Sequence, residues 1–135
     1  MDNNLYPLDS DIILLGIGGN DLFDGETVGA IVENIQKLID VFQFHNENII
    51  IFIEQIAPAT SSIMTPERIL KLGEFHKRIA ILARKETIEG QKVIAIDMAK
   101  SWNDRYLADD VHYNIQGSKI IASRYFKAID NLLNN

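Results

Sequence analysis

The residues best suited to chemistry lie in one short stretch, where Asp109 stands three residues before His112. In a turn, this spacing lets the Asp109 carboxylate reach one ring nitrogen of His112. The carboxylate would fix the tautomer and stabilise the imidazolium, which leaves the second nitrogen free as a general base. The same residues also suit a surface loop with a solvated Asp-Asp pair, so the spacing alone leaves both interpretations open.

A second polar group follows an apolar run near the N-terminus. Gly18 and Gly19 end this run and allow a sharp turn, and Asn20 comes next. The amide NH2 of Asn20 is a neutral donor that could stabilise developing negative charge on an oxygen. Gly-Gly-Asn-Asp is also ordinary turn chemistry, so a purely structural turn is the alternative.

Metal binding is a weaker interpretation of the same polar residues. Oxygen and nitrogen ligands for an ion could come from Asp21, Asp109, Asp110 and His112. Their spacing matches no typical ligand set, and the absence of cysteine removes thiolate sites. We predict no metal ion and no other cofactor.

The rest of the chain alternates between strand and helix patterns. Unalternated apolar runs predict three strands buried on both faces, near residues 11–17, 49–53 and 93–96. Apolar residues at helical spacing predict three helices, with N-caps at Thr27, Thr65 and Asn114. A polar loop of roughly fifteen residues precedes the last helix, and that length favours a functional loop. Within it, Trp102 and Tyr106 could wall a pocket or anchor the loop by packing.

The order β-α-β-α-β-α predicts an α/β fold with parallel strands and right-handed crossovers. The strands then end at one edge of the sheet, at Gly18, Glu54 and Asp97. Open α/β proteins bind their ligands at this edge. We therefore expect the loop that carries Asp109 and His112 to meet Asn20 there.

Composition limits the classes of function. The 135 residues are 47% hydrophobic and 24% charged, which is typical of one globular domain. The net charge of -6 argues against a nucleic-acid partner. No apolar run is long enough to cross a bilayer, and the polar start does not resemble a signal peptide. We expect a cytoplasmic protein with no membrane span.

Two motifs carry a resemblance to a known family. Gly18-Gly19-Asn20-Asp21 after a buried strand and Asp109-Asp110-Val111-His112-Tyr113-Asn114 before the last helix together resemble blocks III and V of the SGNH, or GDSL-type, hydrolases. The resemblance covers nearly the whole chain. It implies a three-layer α/β/α sandwich with a parallel, flavodoxin-like sheet, and esterase, lipase or acyl-transferase chemistry on a small acyl ester. It further implies that Asn20 belongs to the oxyanion hole and that His112 is the general base, oriented by Asp109.

The chain departs from that family at its start. The family's first strand ends in Gly-Asp-Ser, whose serine is the nucleophile, and the sequence lacks this motif. Ser10 precedes the first strand and so lies at the wrong end of the sheet. The other candidates, without the glycines of a nucleophile elbow, are Ser61, Ser62 and Ser101. We therefore expect residues 1–135 to form a single SGNH-hydrolase-like domain, truncated at its N-terminus and weakly active or inactive alone.

Two other functions follow from this departure. The chain could be a non-catalytic binding or assembly module, or one half of a split hydrolase completed by a separate Gly-Asp-Ser chain. In the family's sheet the absent strands would flank residues 11–17. Without them, this apolar strand would be an open edge of the sheet. Exposed apolar edges tend to pair with another strand, so we expect a homodimer joined through residues 11–17 or through swapped helices.

Overall fold

The computed structural model describes residues 10–135. In chain order its elements are β1 (Ile12–Leu15), α1 (Gly19–Phe23), α2 (Val28–His45), β2 (Ile50–Gln55), α3 (Pro66–Ile88), β3 (Lys92–Asp97) and α4 (Ile115–Leu133). A 3-10 turn at Asp104–Tyr106 lies in the long connection between β3 and α4.

The three strands form one parallel sheet with β2 in the centre. In the register, Ile12 of β1 lies opposite Ile50, which in turn lies opposite Lys92 of β3. Because the strands are parallel and joined through helices, their carboxyl ends share one edge of the sheet. The parallel direction predicted from the sequence is therefore confirmed.

Helices cover both faces of this sheet. On one face, α2 and α3 pack through a core in which the most buried helical side chains are Ile31, Ile35, Ile39, Phe75 and Ile79. On the other face, α4 packs Ile121 and Tyr125 against Phe52 of β2. Successive strand residues point to opposite faces, so an unalternated apolar run serves both cores at once. The result is the predicted three-layer α/β/α arrangement.

The predicted helix starts are also confirmed. Each of the three long helices begins after a side chain that accepts a hydrogen bond from the backbone N–H three residues further on. These N-caps are Thr27, Thr65 and Asn114. Such a bond satisfies one of the amide groups that a helix leaves unpaired in its first turn.

The structure differs from the prediction around the first strand. β1 ends at Leu15 rather than near residue 17, and the short helix α1 follows where only a turn was expected. Gly18 makes this junction in the left-handed region, at φ 100°, and a Cβ there would lie 3.0 Å from the Phe75 ring. A five-residue helix is too short to produce an apolar periodicity, which is why the sequence did not predict it.

Candidate active site

A cleft of about 510 Å³ opens at the carboxyl edge of the sheet. Four stretches of chain form its walls: the end of β1 with α1, the end of β2 with the segment after it, the start of α3, and residues 111–113. Gly18, Gly19, Asn20 and His112 all line this cleft. The structure thus brings together the two polar motifs that are about ninety residues apart in the sequence.

At one wall, the turn at Gly18 sets the direction of α1. Gly19 is the first residue of this helix and Asn20 the second, so both lie at its N-terminal end. Asn20 is exposed and lines the cleft, with its side-chain amide available to a ligand. Lys71 of α3 donates to the Leu22 carbonyl at 3.2 Å and ties the far end of α1 to the body of the protein.

At the other wall, Asp109 and His112 form a close pair. The Nδ1 atom of His112 lies 2.7 Å from Oδ2 of Asp109. The other carboxylate oxygen, Oδ1, accepts the backbone N–H groups of Val111 at 2.8 Å and His112 at 2.7 Å. These bonds, led by the one from the His112 backbone, lower the pKa of Asp109 to about 2. Asp109 is therefore ionised near neutral pH, and its bond to Nδ1 leaves Nε2 of His112 free.

Backbone bonds hold the loop that carries this pair. Leu107 and Tyr113 form an antiparallel bridge, and the Ala108 N–H donates to the His112 carbonyl at 2.7 Å. Trp102 packs edge-on against Tyr106 and Tyr113, with ring centroids 5.3 and 5.2 Å apart. Trp102 thus anchors the loop by packing, one of the two roles predicted for it.

Asp110 joins this loop to the segment that follows β2. Its Oδ1 accepts the Thr60 hydroxyl at 2.9 Å, and its carbonyl accepts the Thr60 N–H at the same distance. Sequence reasoning assigned Asp110 no role in catalysis and only a weak one as a possible metal ligand. Its partner lies 50 residues away, and no local pattern marks such a contact.

Glu54 is the second residue that sequence reasoning missed. It is only 7% exposed, yet its side chain contributes to the lining of the cleft. The Tyr125 hydroxyl of α4 donates to Oε1 of Glu54. Burial raises the pKa of Glu54, partly offset by this bond, and burial with the Glu54 charge raises the pKa of Tyr113 to about 12. In the sequence, the feature that could have drawn attention to Glu54 is its place as an acid directly after the apolar run 49–53.

None of the chain's serines lines this cleft. The serines are Ser10, Ser61, Ser62, Ser101, Ser118 and Ser123, all within the described residues. Ser61 lines a smaller, adjoining cleft, and Ser62 lies 3.0 Å from the Thr60 hydroxyl. Ser101 is exposed in a left-handed conformation, at φ 56°.

The weaker interpretation of the sequence, a metal site, requires several ligand side chains close together. Across residues 10–135, no three histidine, aspartate or glutamate side chains cluster as an ion would require. No helix in this part of the chain is both long and apolar enough to span a membrane.

Comparison with known proteins identifies the family. The sequence profile of the GDSL-like lipase/acylhydrolase family matches residues 2–120. The chain belongs to this family. The sequence has no significant match among curated proteins.

Solved structures with the same fold are similar to this GDSL-like chain at low sequence identity. A carbohydrate esterase family 3 protein from Talaromyces cellulolyticus superposes with a TM-score of 0.78 at 18% identity, over 92% of this chain and 59% of its own. A Clostridium thermocellum family 3 carbohydrate esterase gives 0.72 at 23% identity, over 92% and 58%. A lipolytic G-D-S-L family protein from Veillonella parvula gives 0.70 at 17%, over 86% and 61%. The chain therefore spans about three fifths of the length of these structures.

Proposed function

We propose that this GDSL-like chain forms one SGNH-hydrolase-like domain and carries the acid–base and anion-binding parts of an acyl-ester hydrolase site. The observation that carries the proposal is the shared cleft: Asn20 lines one wall, and His112, paired with Asp109, lines another. A hydrolase site needs a base beside the nucleophile and donors for the developing oxyanion.

Each residue has a distinct role in this proposal. Nε2 of His112 takes the proton from the attacking hydroxyl and returns it to the leaving alcohol. The Asp109 carboxylate holds Nδ1 at 2.7 Å and stabilises the imidazolium that forms. The side-chain amide of Asn20, with the turn at Gly18 and Gly19, stabilises negative charge on the carbonyl oxygen.

In this proposal the nucleophile does not come from residues 10–135. Because no serine of this chain lines it, His112 would activate either a water molecule or a serine delivered by another chain. Direct attack by water forms no covalent intermediate, so the reaction is not divided into two easier steps as it is with a serine. We therefore expect weak hydrolysis by the chain alone. A separate Gly-Asp-Ser chain that completes the site would make this protein one half of a split hydrolase.

The test is hydrolysis of p-nitrophenyl acetate by the purified chain, beside His112→Ala and Asn20→Ala. We expect each substitution to lower kcat/KM by about 100-fold, the usual effect of losing a base or an oxyanion donor. His45→Ala is the matched control, since His45 ends α2 and does not line the cleft. Equal rates for all four proteins would exclude hydrolysis by this chain alone.

A second function, as an assembly module, is favoured by the edge of the sheet. Within residues 10–135, β1 pairs with β2 on one side only, and Leu14 of β1 is 47% exposed. We propose that this edge pairs with a second copy of the chain. Sedimentation should detect a dimer that Leu14→Lys dissociates and Leu70→Lys, at an exposed site on α3, does not. A monomer for the unaltered chain would contradict this proposal.

A further inference from the structure

Glu54 is a buried acid that the proposed chemistry does not use. It lies near the carboxyl end of the central strand and contributes to the lining of the cleft that contains Asn20 and His112. A buried carboxyl group requires compensation, either from a cation or from several hydrogen bonds. The groups around Glu54 therefore indicate which protonation state is favoured and what the side chain can bind.

The surroundings of Glu54 provide little compensation for a negative charge. Among the described residues no lysine, arginine or histidine forms an ion pair with it. Its hydrogen bond within this part of the chain comes from the Tyr125 hydroxyl, which donates to Oε1. Burial accordingly raises the pKa of the carboxyl, which favours its neutral form.

The glycine that follows the neighbouring strand β1 leaves space for this carboxyl group. A Cβ atom at Gly16 would lie 2.8 Å from both Cδ and Oε1 of Glu54, closer than real contacts allow. The glycine thus lets the carboxyl group lie close to the backbone just after β1. Since Gly16 also lines the cleft, Glu54 and Gly16 together form part of its floor.

A neutral carboxyl group has one O–H donor as well as its acceptor oxygens. In this neutral form, with Oε1 accepting from Tyr125, the proton is carried by Oε2, which has no hydrogen-bond partner among residues 10–135. A ligand oxygen in the cleft could accept this proton in a hydrogen bond. A hydrocarbon chain in the same place would bury the donor unpaired, which costs more than the bond itself gains.

We propose that Glu54 is a specificity-determining hydrogen-bond donor, through which the cleft selects esters with a hydroxyl or carbonyl oxygen near the acyl group, such as acylated sugars, over fatty esters. This inference rests on the ligand cleft of the proposed function but not on hydrolysis. Selectivity arises because the polar ligand pairs the Glu54 proton and the aliphatic ligand does not.

The test compares two uncharged acetamides by NMR titration of the purified chain. N-acetylglucosamine offers hydroxyl oxygens, whereas N-hexylacetamide offers a hydrocarbon chain after the same acetamide group. We expect wild type and Glu54→Gln, which keeps a donor, to prefer the sugar. Glu54→Met should lower the ratio of the two affinities about five-fold, the value of one hydrogen bond.

A second variant covers the case in which Glu54→Met does not fold. The methyl group of Gly16→Ala would displace the Glu54 carboxyl group, so this variant should also lower the ratio of the two affinities. A wild type without preference for the sugar, or a ratio unchanged in the variants, would overturn the proposal. Binding is measured without turnover, so a preference for the sugar that depends on Glu54 supports this inference even if ester hydrolysis fails.

Discussion

Gly117 in the first turn of α4 should tolerate no side chain, because it packs directly on the loop that carries Asp109 and His112. A Cβ atom at this position would lie 2.1 Å from the carbonyl oxygen of Tyr106. That oxygen also accepts a hydrogen bond from the Asn114 N–H at 3.0 Å, so moving it away would strain or break this bond. Relief requires a shift of at least 0.9 Å, the difference between 2.1 Å and the 3.0 Å below which real Cβ contacts are essentially never found.

The Gly117→Ala variant therefore forces backbone against backbone rather than moving a flexible side chain. Overpacking of this kind costs about 1–3 kcal/mol. We expect a net loss of about 2 kcal/mol, or about 8 °C in Tm for a domain of this size. The shift also displaces the His112 loop, and a 1 Å error in a site lowers a rate by about 100-fold.

Gly73→Ala in α3 is the matched control. A Cβ atom there meets nothing within 4 Å, so the variant should gain about 0.5–1 kcal/mol from helix propensity alone. Thermal unfolding followed by circular dichroism measures both variants, and amide NMR spectra report shifts in residues 104–113. A Gly117→Ala protein as stable as Gly73→Ala would refute the packing argument.

Three further changes test other parts of the structure. Glu54→Gln should become more stable relative to wild type as the pH rises above the carboxyl's ordinary pKa of 4.5, because burial raises the pKa of Glu54 and only the unfolded wild type then loses this proton readily. Urea unfolding at several pH values measures this, and a constant difference would contradict it. Glu86→Ala should lose about 2 kcal/mol in urea unfolding, since this buried carboxylate accepts amide bonds from Gln36 and Gln43 at 2.8 and 2.9 Å. Thr65→Ala, which removes the cap of α3, should lower the free energy of unfolding by about 1 kcal/mol, and no change would indicate that water replaces the cap.

The sequence predicted those features whose causes are local. Strands buried on both faces require continuous apolar runs, and N-caps require particular side chains just before a helix, so both leave a pattern in a short window. The Asp109–His112 contact spans three residues and was predictable for the same reason. The shared edge of the sheet, which brings Asn20 and His112 to one cleft, followed from topology alone.

Contacts between distant residues were not predictable in this way. The bond from Tyr125 to Glu54 joins residues 71 positions apart, and the bond from Thr60 to Asp110 joins residues 50 apart. Neither pair has a local signature, because each depends on how two elements pack. Sequence patterns therefore predicted the contact between Asp109 and His112 but not the buried acid in the same cleft.

Because Asp109 and His112 are exposed, the strength of their contact depends on what covers the cleft. The side chains of His112 and Asp109 are 79% and 57% exposed, so bulk water and salt screen the attraction between them. A ligand or second chain that excluded water would lower the effective dielectric constant from about 80 towards 20, strengthening that attraction about four-fold. Covering the open cleft would thus strengthen the contact that orients the His112 ring, while the distance from the ring to the carboxylate stayed the same.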